Sequence, residues 1–240
     1  MPSTRSALPV TVVTLLCLIC SSCDSLDAMS VRLARLTGHG GVSAGAISPT
    51  VDVPKIKALL AALPVKGRAP KTGYSRAQFG EPWTDDNTTA SGHNGCDTRD
   101  DILGRDLTQV TYRSGSHCVV ASGVLHDPYT GTTIPFTRGP NSSAAVQIDH
   151  IVALSNAWQT GAALLSPAAR VNLANDPINL WAVDGPSNQQ KSDGDAATWL
   201  PPNRGFRCAY VARQVVVKSM YHLWVTPPEE AAISRVLAHC

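Results

Sequence analysis

Apolar positions along this chain follow two spacings, and each change of spacing marks a new element. Ile56, Leu59, Leu60 and Leu63 fall on one face of a helix within Pro54–Leu63. Asp97–Leu107 mixes acids and bases around Ile102 and Leu103 and reads as a second helix. Val110–Tyr112 and Cys118–Leu125 are short runs rich in β-branched residues and read as strands. The stretch His126-Asp127-Pro128-Tyr129-Thr130-Gly131 carries Asp-Pro and Thr-Gly turn signals, so Thr132–Phe136 is expected to return as a hairpin partner. Val146–Ile148 and Asn179–Val183 read as another strand pair. Between them lie two expected helices, Asn156–Ala163 and Pro167–Leu173, the second capped by Ser166. A helix starts at Ser187 and a turn ends it at Gly194. Phe206–Met220 lacks Pro and Gly and reads as helical. Thr226-Pro-Pro-Glu229 has the N-cap, early Pro and third-position Glu of a helix start, with the helix running to about Ala238. The expected class is α+β, with a helical insertion, an additional β-hairpin and a C-terminal helical pair.

The first residues break this pattern. Arg5 precedes an uncharged apolar run from Ala7 to Cys20, too short to span a bilayer comfortably, with Ser21 and Ser22 after it. This predicts a signal peptide over residues 1–23, and a mature chain without a transmembrane span, secreted or held at the cell surface. Cys23 after two serines is a possible lipid-anchor acceptor, so free secretion and lipid anchoring both stay open. Residues 24–71 are rich in Pro and small residues and read as a linker with one short helix, ahead of a domain over residues 72–240.

Composition narrows the partners. A hydrophobic content of 43% marks a folded chain rather than a disordered one. The net charge is only +2, so a polyanion has to be met by a local basic face instead of the field of the whole molecule. Beyond the signal remain Cys96, Cys118, Cys208 and Cys240, an even number in an exported chain. Two antiparallel helices with a short connection bring Cys208 to Cys240 and leave Cys96 for Cys118. Four free thiols are the alternative.

Candidate chemistry concentrates in Gln147–Lys191. Asp149 is a hard anionic ligand for a divalent cation, and His150 titrates near neutrality, as a general base must. The imidazole needs an acceptor on its other nitrogen, from the Asn179 side chain or a backbone carbonyl. Asn188 offers a second oxygen to the cation, and Lys191 a charge for a phosphate. Arg99, Arg138 and His126 are further phosphate-binding candidates, and Arg204, Arg207, Arg213 and Lys218 form a possible basic helix face.

The order D-H-I-x-x-L-S, then N-L-x-x-V, then N-x-x-K starting nine residues after the first Asn, resembles the HNH or ββα-metal nuclease motif. The form D-H…N-D-P-x-N-L…N-x-x-K is similar to the C-terminal nuclease domain of modification-dependent restriction enzymes, in a secreted, actinobacterial type. The resemblance extends from T-G-Y-S-R at Thr72 through G-C-D-T-R and D-P-Y-T-G to the C-terminus. It implies a ββα-metal core with Asp149 and Asn188 as metal ligands, His150 as general base and Asn179 as the residue that braces the motif. It also implies a single Mg²⁺ or Mn²⁺ and a nucleic acid substrate, DNA before RNA, for a monomeric endonuclease. The paired C-x-x-C of many such nucleases is missing, so no structural zinc is expected. Two other readings stay open: an inactive, disulfide-braced surface or binding module, and a metal-dependent hydrolase of another ester or of peptidoglycan.

Overall fold

The computed structural model describes residues 51–240. The expected signal segment, with Cys17, Cys20 and Cys23, and the small-residue stretch up to residue 50 lie outside the described residues.

Helix α1 (Val53–Ala62) starts where the Asp52 carboxylate accepts the Lys55 backbone N–H, with Pro54 in its first turn. Its apolar face buries Ile56 and Leu60 against α6 (Arg207–Met220) and α7 (Pro227–Leu237). Val65 then bridges to Val225. Residues from 53 onward therefore share the core of the domain. Ile56, Leu59 and Leu60 lie on the helix and Leu63 caps its end, and an apolar stripe of this kind has to be buried somewhere.

Helix α2 (Thr98–Asp106) is capped by Asp97, which accepts the Asp100 N–H at 2.7 Å. It feeds directly into β1 (Leu107–Tyr112), which pairs with β2 (Val120–His126), and β2 pairs with β3 (Thr133–Thr137), all antiparallel. The expected hairpin is thus two strands of a three-stranded sheet. A second sheet has two strands, β4 (Val146–His150) and β5 (Leu180–Asp184), with Ile148 opposite Ala182 and His150 opposite Leu180. Ile102 and Leu103 of α2 sit between the sheets, against Val120, Phe136, Val146 and Leu180. The insertion between β4 and β5 carries α3 (Leu154–Gln159) and α4 (Pro167–Asn175), the latter capped by Ser166.

Helix α5 (Gly185–Lys191) follows β5 without a break. Asp184 caps it by accepting the Ser187 N–H and hydroxyl at 2.8 and 2.7 Å, so the helix begins at Gly185, two residues ahead of the expected start. A Cβ at Gly185 would lie 2.1 Å from the Ala144 carbonyl oxygen, so glycine alone lets the helix approach the short turn that leads into β4 here. The result is a strand–strand–helix unit whose first strand ends on Asp149 and His150 and whose helix carries Asn188.

The C-terminal pair closes as expected. Thr226 and Glu229 form a capping box at α7. Cys208 is bonded to Cys240, and Cys96 to Cys118. The Cys208–Cys240 bridge closes a sequence separation of 32 residues. Replacing both cysteines by serine is expected to cost about 3 kcal/mol through lost loop closure. That corresponds to a fall in Tm of about 6–12 °C for a domain of this size, readable by calorimetry under non-reducing conditions.

Candidate active site

Asp149, His150 and Asn188 line one open cleft of about 900 Å³, together with Gln147, Arg76 and Arg99. Two backbone elements bring them there. β4 delivers the first two, and the short α5 turns Asn188 toward the same opening.

The His150 ring is buried, and its Nε2 lies 2.9 Å from the Ala174 carbonyl oxygen. A carbonyl only accepts, so Nε2 carries the proton and Nδ1 keeps its lone pair. Burial lowers the imidazole pKa to about 3, against a raising effect from the Ala174 carbonyl, and Arg76 and Lys191 lower it further. The ring is therefore neutral near pH 7 and able to accept a proton at Nδ1. Of the two acceptors expected for this ring, the backbone carbonyl is the one used.

Asn179 is fully buried and makes no hydrogen bond to the imidazole. Its Oδ1 accepts the Val152 N–H at 2.9 Å, and its Nδ2 donates to the Leu173 carbonyl at 3.1 Å. It ties the chain leaving His150 to the end of α4, which also presents Ala174. Through these bonds Asn179 braces the backbone around His150.

Asp149 is held from two sides. Lys191 Nζ donates to its Oδ1 at 2.9 Å, and the Tyr129 hydroxyl donates to its Oδ2. Burial lifts the Asp149 carboxyl above its usual range, while Lys191 and then Tyr129 pull the other way. Burial likewise raises the Tyr129 pKa, helped by the Asp149 charge, so the phenol keeps its proton and remains a donor. Tyr129 reaches this position from the β2–β3 turn. Asp127 shapes that turn by accepting from Thr130 N–H at 2.7 Å, and its other oxygen accepts the Asp184 N–H at 2.8 Å. One turn residue thereby couples Tyr129 to the start of α5.

Three expected substrate contacts have other partners or lie elsewhere. The Lys191 side chain has 0% exposure and also donates to the His150 carbonyl at 2.8 Å. Its ammonium is spent on Asp149 and the His150 backbone. Arg138 pairs with buried Asp100 and donates to the Val120 carbonyl, because Asp100 would otherwise be a buried charge without a partner. His126 is exposed at the end of β2, outside the cleft. The basic helix face dissolves as well: Lys218 is buried on Glu229, Arg213 lies 4.5 Å over the Trp181 ring, and Arg207 donates to the Pro201 carbonyl. Arg204 is exposed and does not line the cleft. Arg99 does line it, and so does Arg76, which sequence reasoning passed over. Neither forms an ion pair among the described residues.

Gln147, Tyr129 and Trp83 were also missed. Gln147 Oε1 accepts from Asn188 Nδ2 at 2.9 Å, which orients that amide. The one signal for Tyr129 was its place in D-P-Y-T-G, an aromatic residue inside a polar turn. Trp83 stacks on His150 with ring centroids 5.6 Å apart and planes 12° from parallel.

Asp149 and Asn188 are hard oxygen donors on a roomy, wettable cleft, which suits a divalent cation that keeps several waters. Each Asp149 oxygen retains a lone pair beyond its present hydrogen bond. The Asn188 oxygen is not used in the bond to Gln147. The residues therefore fit such an ion. Elsewhere among the described residues, Cys96, His117 and Cys118 cluster closely, but both sulfurs are consumed by the disulfide and offer no thiolate.

Residues 97–236 match the family described as "GmrSD restriction endonucleases, C-terminal domain", and the chain belongs to that family. The class is that of a nuclease domain, for which a divalent ion and a nucleic acid substrate are the general expectation. The chain is also 39% identical over 186 residues to an uncharacterized secreted protein from Arthroderma benhamiae. That alignment covers 77% of this chain and 84% of the relative. The relative is not actinobacterial, so the similarity carries no bacterial assignment. No solved structure matches the chain significantly.

Proposed function

We propose that the protein is a secreted endonuclease of the HNH type that hydrolyses phosphodiester bonds with one divalent cation, Mg²⁺ or Mn²⁺, and acts on DNA in preference to RNA. The observation that carries this reading is the neutral His150 ring, unprotonated at Nδ1, in one open cleft with Asp149 and Asn188. The family's restriction endonucleases support DNA as substrate. The apolar N-terminal run, the two disulfides and the name of the fungal relative support secretion.

Asp149 and Asn188 would hold the cation, with Lys191 and Tyr129 orienting the carboxylate and Gln147 the amide. When bound, such an ion stabilises charge on the scissile phosphate and on the leaving oxygen. His150 takes a proton from a water molecule at Nδ1. The water oxygen forms a bond to phosphorus as the bond to the 3′ oxygen breaks, and that oxygen is protonated from solvent. A phosphate beside the imidazole favours its protonated form, which raises its basicity once substrate is in place. Arg76 and Arg99 are free to meet the scissile or flanking phosphates.

Incubating the protein with plasmid and with RNA, with EDTA or with each metal, tests this. Cleavage is expected to stop in EDTA and return with Mg²⁺ or Mn²⁺. Undiminished cleavage in EDTA would overturn the metal-dependent reading. One observation favours the second reading, a binding module without activity: both Asp149 oxygens already hold an internal donor. Under that reading neither metal nor His150→Ala changes any property of the protein toward nucleic acid.

A further inference from the structure

Trp83 lies outside the residues shared with the family model, yet its indole covers one face of the His150 ring. Its backbone is strained. Trp83 has φ of 59°, a conformation that favours glycine and is costly for a bulky side chain. The bend is anchored by the Thr98 N–H, which donates to the Trp83 carbonyl at 3.0 Å. Thr98 opens α2, the helix that presents Arg99 to the cleft. The indole is only half-buried and lines the cleft wall.

We propose that Trp83 is a positioning residue for His150: it sets the tilt of the imidazole and thereby aims Nδ1 at the attacking water. The inference rests on the reading of His150 as general base.

The physical reason lies in the shape of the ring. The hydrogen bond to Ala174 holds Nε2, which lies nearer the Cβ–Cγ axis than Nδ1 does. Rotation about that axis therefore moves Nδ1 further than Nε2. A hydrogen bond at Nε2 thus restrains the tilt of the ring only in part. A flat aromatic surface against the ring face resists that rotation, since offset-parallel stacking is favourable at such a separation. The two contacts together restrain what neither does alone. A misplacement on the order of 1 Å at a reacting atom costs about a hundredfold in rate.

Trp83 also packs against the cluster that contains Ile102 and Leu103, so a purely structural role has to be separated from positioning. Trp83→Leu keeps apolar bulk there and removes the flat ring, while Trp83→Phe keeps a flat ring. Trp83→Leu is expected to lower kcat about 10- to 100-fold, with KM changed less than about threefold, and Trp83→Phe to recover most of the loss. In a His150→Ala background the Leu change is expected to have almost no further effect, because the two act as one unit. A raised KM with intact kcat, equal losses in Leu and Phe, or multiplicative effects in the double variant would each overturn the proposal.

A second readout does not need activity. In proton–carbon spectra of histidine-labelled protein, the His150 ring signals are expected upfield, shifted by the indole ring current. Trp83→Leu is expected to remove that shift. If the wild-type protein cleaves nothing, the nuclease reading fails, and these spectra alone decide whether Trp83 orients the ring. Signals that stay in place in the Leu variant would overturn it.

Discussion

His150→Ala is expected to lower plasmid cleavage by about two to four powers of ten, the usual contribution of a positioned general base. The imidazole is the one neutral, unprotonated nitrogen base on the cleft. Asp149 is committed to Lys191 and Tyr129, and the Arg76 and Arg99 guanidinium groups have no lone pair to offer. The measurement is initial cleavage rate at saturating metal, with thermal melting of the same sample. The substitution also removes the partner of the Ala174 carbonyl, which costs about 1–3 kcal/mol if that group stays buried. A modest fall in Tm with a large fall in rate fits the base role. Unchanged cleavage would eliminate His150 as the base.

Lys191→Met should be the most damaging substitution for stability, with an expected loss of about 3–5 kcal/mol. The variant leaves the buried Asp149 carboxylate and the His150 carbonyl without their ammonium partner. The corresponding fall in Tm is about 6–20 °C. A solvent-facing phosphate ligand would behave differently. Its loss would leave stability within about 0.5 kcal/mol and raise KM instead. Adding Asp149→Asn to Lys191→Met should return part of the lost stability, since a neutral amide needs no counter-charge. Chemical denaturation of the two variants separates these outcomes, and a Lys191→Met melting curve matching wild type would remove Lys191 from the buried network.

The elements were legible where local rules and burial agree. Asp97, Ser166 and Thr226 each cap the helix expected after them. The cysteine pairing followed from two helices and a short connection, and both bridges form. Asp149, His150 and Asn188 all line the cleft, because strand and helix periods convert sequence distance into direction, while Asn179 is buried beside them.

Charge partners were not legible in the same way. Lys191, Arg138 and Lys218 look alike in sequence to any surface cation, and each is withdrawn by an acid on another element, 42, 38 and 11 residues away respectively. Arg99 stays available for the opposite reason: none of the acids around it comes within ion-pair distance. Trp83 and Tyr129 sit in turns with no periodicity, so nothing local announces that one reaches His150 and the other Asp149.

By itself, then, the order of residues determined most of the helices and strands and the set of groups able to do chemistry, since those depend on neighbours within a few positions. Only the tertiary structure decided which cations are spent inside the protein, which oxygens remain for a metal, and what holds the imidazole. Those are questions of distance between segments far apart in the chain, and only packing brings such segments together.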